Sequence, residues 1–298
     1  MGTTTAPTPF IPAERQHGSI ATERRWALVG AYIALAVFVI FFMVPPFHML
    51  MTSLKSSAEI ADLSGNPWLV RSPTLQNYWD LLTQGNYLIH FRNSLIVTIS
   101  TVIISMVIST MAAFALARMK FWGSATLATG VFLTYLVPET LLFIPMFQII
   151  GSIGLYNNLW AMVLIFPTLT VPFCTWIMIG YFASIPKELD EAALIDGAGH
   201  IQMLIKIFIP VALPGILAAM IFAFTVSWGA FIYPMAFLVS SDQMVLTVGI
   251  VSDLIRADTF QWGKIMAGAL MAALPPLLVY AFLMDYYIAG LTAGATKG

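Results

Sequence analysis

The sequence predicts an all-α, polytopic membrane protein with six transmembrane helices. Two observations carry this reading. Hydrophobic residues make up 59% of the chain and charged residues only 9%, whereas a soluble domain carries roughly a quarter charged residues; lipid must be the solvent for much of this surface. The few charges are also clustered. No Asp, Glu, Lys or Arg occurs over residues 26–54, 93–117, 207–241 or 265–284, and Glu139 alone interrupts 121–186.

Taken in order, the first 25 residues are polar and contain Pro and Thr, which reads as a flexible tail. The first span, about 26–47, is too long for a signal-peptide core and lacks an Ala-x-Ala exit, so it is expected to stay uncleaved. Residues 48–92 alternate short apolar runs with turn residues, and 75–82 reads as a short surface helix with interfacial aromatics. A second span covers about 93–117. A spanning helix needs about 20 apolar residues, so 121–186 holds two spans, about 125–149 and 159–182, parted by the turn-prone 151–158. The last two are about 211–233 and 265–287.

Six is even, so both termini share one side. With that side cytoplasmic, Arg15, Arg24, Arg25, Arg118, Lys120, Lys187, Lys206 and Lys297 lie inside, while Lys55, Arg71, Arg92, Arg256 and Lys264 lie outside. The basic excess favours cytoplasmic termini.

The segment 184–210 is too long for a tight hairpin, and long ordered loops are usually functional. Ser184 is suited to cap a helix and Pro186 to its first turn, with Glu188, Asp190 and Glu191 near the positive end of the dipole. At helical spacing Leu189, Ala192, Ala193 and Asp196 share a nearly smooth face. Gly197 ends or bends this helix, and a second apolar run, 201–209, is stopped by Pro210. The pattern fits a docking element and equally an amphipathic linker between spans.

Glu139 follows Pro138 within an apolar run. A carboxylate at membrane depth costs several kcal/mol unless paired or wetted, and prolines free backbone groups toward a cavity. It reads as a solute-path residue, or as a group at the outer interface or in a structural hydrogen bond. Trp228 and Phe231 are candidates to stack on a sugar face, or members of an interfacial belt.

Catalytic patterns are missing. Gly263-Lys264 lacks the rest of a phosphate-binding loop, and no His-Glu-x-x-His occurs. His17, His48, His90 and His200 are scattered and read as surface or interfacial residues, with no metal site. Cys174 is the lone cysteine, which excludes an internal disulfide. A net charge of −1 gives no case for nucleic acid.

Glu191-Ala192-Ala193, three residues, Gly197, nine residues, then Ile207-x-Ile209-Pro210 resembles the EAA motif of binding-protein-dependent ABC importer permeases, departing from it only in Ile209 for Leu. The carbohydrate branch and its maltose-type permeases are similar in further places. These include Ser53-Leu-Lys55, Ala113-Phe-Ala-Leu-Ala-Arg118 ahead of Phe121-Trp-Gly123, Ile144-Pro145, Ile185-Pro-Lys-Glu-Leu189, Ile195-Asp-Gly197 and the tail from Gly290. The resemblance covers about residue 26 to the end.

It implies a type I importer permease core (MetI-like) over 26–298, in a bacterial-type inner membrane, importing a sugar, oligosaccharide or related polyol. A second permease subunit forms a heterodimer with it, and two ATPase subunits bind ATP and magnesium, so this chain has no cofactor and is not itself an enzyme. An extracytoplasmic solute-binding protein delivers the solute. The coupling loop, 184–210, would contact the ATPase through Leu189, Glu191, Ala192, Ala193, Asp196, Gly197, Ile207 and Pro210, and the tail residues Thr296, Lys297 and Gly298 would reach the ATPase too. Trp228-Gly-Ala-Phe231 and Met284-Asp285 depart from the relatives' pattern. The competing reading is an ATP-independent secondary transporter or channel, which would place several ionisable groups or inverted repeats at mid-membrane.

Overall fold

The structure, a computed structural model, describes residues 17–62, 64–119, 121–256 and 259–295. The chain divides into two units, 1–49 and 50–298. Helix α1, His17–Ser53, supplies the described part of the first unit. The helix already runs through 17–25, so the part of the expected tail that is described is helical. From Trp26 to Val44 its large apolar side chains are exposed, as expected of a helix whose solvent is hydrocarbon.

The second unit begins with short helices α2, Ser57–Ala61, and α3, Gln76–Gln84. The latter is the expected surface helix: Asn77 and Leu81 are buried while Trp79 is 64% exposed. Lys55 is buried, and its ammonium donates to the carbonyls of Asn66 (3.0 Å) and Pro67 (3.1 Å). Nearby, the Ser64 hydroxyl and amide donate to Asp62, and Arg71 lies 3.2 Å from its other oxygen. These contacts hold the Asp62 carboxyl below the usual carboxylate range, the Ser64 hydroxyl first.

The core helices follow: α4, Tyr87–Arg118, then α5, Ser124–Tyr135, α6, Glu139–Ser152, and α7, Leu159–Ser184. The long helix α4 packs along α7. Its face at Ser94, Thr98, Thr101, Ser105 and Ser109 is buried, with Ser105 bonded to Thr170 at 2.7 Å and Ser109 to the Val171 carbonyl at 3.2 Å. Small residues let helix backbones approach closely where water is absent.

The third span differs from expectation. It is broken into α5 and α6, bent by 94°. Pro138 has no N–H and its ring clashes with the preceding turn, so the helix ends at Tyr135 and restarts at Glu139.

After α7 come α8, Glu188–Ile195, then α9, His200–Met203, a π-helical turn over Leu204–Phe208, and α10, Ile209–Val211. The expected stop at Pro210 is corrected here. Pro210 lies inside α10, preceded by the wide turn in which the Ile209 amide bonds the Leu204 carbonyl. The wider turn accommodates the missing donor and the ring. The break falls at Ala212, and His200–Val211 meets the next helix at 82°.

That helix, α11, Leu213–Trp228, is followed by α12, Ile232–Phe237, α13, Leu246–Leu254, and α14, Trp262–Ala295. Strands β1, Ile255–Arg256, and β2, Thr259–Phe260, form a two-residue antiparallel ladder. Among the described residues four helices are long and apolar enough to cross a membrane alone, and up to six if each bent pair is one span.

Candidate functional site

Arg118 ends α4 at the side of the bundle that carries α8 to α10. The opposite end of α4 carries His90, whose Nε2 lies 2.9 Å from the Asp253 carboxylate. His90 is only 1% exposed, which corrects the expectation of a surface histidine.

The expected start of the loop helix is also corrected. Ser184 donates back to the Tyr181 carbonyl at 2.8 Å and finishes α7, while α8 begins at Glu188. Gly197 terminates α8 as expected, with φ +76°. The Gly197 amide bonds the Leu194 carbonyl at 3.1 Å and the Ala198 amide bonds the Ala193 carbonyl at 2.9 Å. This is the two-bond cap that favours glycine at the left-handed position.

The two alanines of α8 do not share a face. Ala193 is buried in a cluster with Ile185, Phe182, Met203 and Phe208, whereas Ala192 is exposed. Asp190 lies 3.3 Å from Arg118, which turns this side of the helix inward. Leu189, Glu191, Ala192, Asp196 and Gly197 are exposed; Ile207 is half-buried and Pro210 exposed. Sequence reasoning missed the exposed apolar residues at the end of α8, where Leu194 is 56% and Ile195 86% exposed, with Ile201 at 71% beyond the cap. The signal was present as apolar residues next to the polar positions of a short helix.

Within the membrane, the structure brings two helix breaks together. The Tyr233 hydroxyl donates to the Glu139 carbonyl at 2.7 Å, joining the gap before α6 to the gap between α11 and α12. A cavity of ≈ 400 Å³ opens there, lined by Glu139, Phe166, Thr225, Phe231 and Tyr233 among others. Irregular backbone at membrane depth is tolerated where it lines a cavity or is buried in protein. The Glu139 side chain stands in the first turn of α6.

Trp228 is not part of this cavity. It is 7% exposed, its indole N–H donates to the Ala272 carbonyl at 3.0 Å, and its ring stacks on Phe224. It joins α11 to α14 instead of offering a face to solute. Thr296, Lys297 and Gly298 lie outside the described residues. No cluster of His, Cys, Asp or Glu among the described residues is arranged to hold a metal ion.

The family model of the inner membrane component of binding-protein-dependent transport systems matches residues 105–292. This chain belongs to that family. The stretch matched contains both the cavity and the loop of α8 to α10, so the permease family covers the parts singled out by geometry. The alternative of an ATP-independent carrier or channel is thereby set aside.

Individual relatives extend over nearly the whole permease. The chain is 33% identical to the inner membrane ABC transporter permease protein YcjP of Escherichia coli over 283 residues, covering 94% of this chain and 100% of the relative. It is 30% identical to the sulfoquinovosyl glycerol transport system permease protein SmoH of Agrobacterium fabrum, covering 90% and 93%. It is 29% identical to the trehalose/maltose transport system permease protein MalG of Thermococcus litoralis, covering 93% and 98%. The fold is similar to that of a chain in the crystal structure of a bacterial ABC transporter that imports the acidic polysaccharide alginate, with a TM-score of 0.78 at 21% identity over 94% of this chain and 100% of that one.

Proposed function

We propose that this permease carries a sugar, oligosaccharide or related polyol inward, as one of two permease subunits powered by separate ATPases and served by an extracytoplasmic binding protein. The names of its relatives support the solute class, since they include carriers of sulfoquinovosyl glycerol, diacetylchitobiose and maltodextrin. Both termini are cytoplasmic on this reading, and α8 is the coupling helix. The observation that carries the coupling role is the exposure of Ile195, two positions from the buried Ala193 and so on the far side of α8, with Leu189 and Leu194 exposed on its flanks. Exposed apolar residues on a rigid platform form a docking surface.

The orientation is tested with reporters active only in the cytoplasm. Fusions after residues 122, 198 and 298 are expected to work, and those near 65, 155 and 255 to fail. Activity at 65 with silence at 198 would reverse the orientation.

The cavity at Glu139 and Phe231 is proposed as part of the solute path. Its carboxylate can accept hydrogen bonds from solute hydroxyls, and a hydrogen bond to a charged group contributes about 1.5–3 kcal/mol. Glu139→Gln is therefore expected to leave assembly intact and raise the half-saturation for uptake by about tenfold or more. Unchanged half-saturation and rate across a panel of sugars and polyols would assign Glu139 a structural role.

A further inference from the structure

We propose that Arg118 is a positioning residue that locks the end of α4 to α8, so that the two move as one body when the ATPases close. The inference rests on the coupling role proposed above for α8.

Four segments converge on this one side chain, which is only 7% exposed. It projects from the last residue of α4. One terminal nitrogen faces the Asp190 carboxylate on α8 at 3.3 Å, and the other donates to the Ile185 carbonyl just past α7. Its guanidinium lies 4.8 Å from the centre of the Phe208 ring, in the π-helical turn. Phe208 in turn packs edge-on against Phe114 of α4 and Phe182 of α7, at 5.1 and 5.6 Å between centroids. The ends of α4 and α7, α8 and the turn are thus tied at a single cation.

Arg118 Nε and Asp190 Oδ1 are both buried without a hydrogen-bond partner. Separating α8 from α4 would break the ion pair and take the guanidinium off the Phe208 ring, so the contact opposes separation. Arginine suits the task because its planar fork meets a carboxylate, a carbonyl and an aromatic face at once, which an ammonium does not. Force delivered at the exposed edge of α8 therefore reaches α4 directly, and α4 packs along α7 and α11, which carry the cavity-lining residues Phe166 and Thr225.

The test uses the whole importer in proteoliposomes. Asp190→Asn is expected to insert, to keep the ATPase bound because the outer edge of α8 is untouched, and to keep hydrolysing ATP. Solute delivered per ATP is expected to fall about tenfold, within the usual range of coupling between two sites. Asp190→Glu should restore most of the ratio, and Arg118→Lys only part of it. A normal ratio in Asp190→Asn overturns the proposal. So does loss of the ATPase, which would make Asp190 a docking residue.

A second measurement leaves the pair intact, since the labels are carried by cysteines placed at exposed positions outside it. Spin labels at the exposed positions Met119 and Glu188 should keep their separation within about 2 Å, the scale of small helix shifts, between nucleotide-free and ATP-bound states. A larger change overturns the one-body account. Failure of the coupling role itself would show separately, as a permease that keeps its ATPase when the exposed apolar residues of α8 are replaced.

Discussion

Ile195→Asp is expected to abolish uptake while leaving the permease folded and inserted. Ile195 is 86% exposed and takes no part in the buried cluster behind α8, so the permease alone loses nothing by the change. In the complex the new carboxylate would be buried against the ATPase without a partner. Removing an apolar anchor at the centre of an interface costs about 2 kcal/mol or more, and an unpaired buried charge adds several kcal/mol. Co-purification of the ATPase should fall to background with the permease melting temperature unchanged. Ala193→Leu should do the reverse. Its side chain points into the cluster with Phe182 and Phe208, where overpacking costs about 1–3 kcal/mol; the permease should melt earlier in detergent. Equal behaviour of the two variants would show that α8 has no distinct outer and inner sides.

Gly249→Val is expected to have the largest effect on folding. A Cβ at Gly249 would overlap the His90 ring. That ring cannot move aside easily, because its Nε2 is bonded to Asp253 and its Nδ1 lies 3.3 Å from the Met244 carbonyl. The flanking Leu246 and Val248 are buried too. The substitution should therefore push α13 off α4 and expose a buried polar pair, with a loss beyond the roughly 1–3 kcal/mol of ordinary overpacking. Accumulation in the membrane should drop severely, whereas Gly151→Val, where nothing lies within 4 Å of the added Cβ, should accumulate normally. Normal accumulation and melting of Gly249→Val would mean that α13 does not pack on α4 as described.

Charge-free runs are the part of the fold that a sequence states most directly, because a bare charge in hydrocarbon is costly. The helices that carry these runs extend past the expected span ends, with α1 running from His17 to Ser53, α4 beginning at Tyr87 and α14 running from Trp262 to Ala295. The bend at Pro138 had a visible cause, but a proline announces a break without its angle; the 94° depends on what the two halves pack against. Gly197 was legible because a left-handed helix end demands few residue types.

Long-range partners were not legible. His90 is buried because Asp253 comes to it from 163 positions away, and Trp228 is a core residue because a carbonyl of α14 accepts its N–H. For the same reason the rotation of α8 could not be read. Its two alanines are adjacent, and either could face inward; the contact from Asp190 to Arg118 selects Ala193. The stripe Ser94, Thr98, Thr101, Ser105 and Ser109 lies at helical spacing along the buried face of α4, a pattern the sequence reading passed over.

Docking of a separate ATPase on the outer edge of α8 is tested most directly by photo-crosslinking in the assembled importer, with a photoreactive residue placed singly at 195 and at 193. The account predicts an adduct with the ATPase subunit from position 195 and, from position 193, reaction only within the permease. An ATPase adduct from 193, or none from 195 in a complex that still transports, would contradict it.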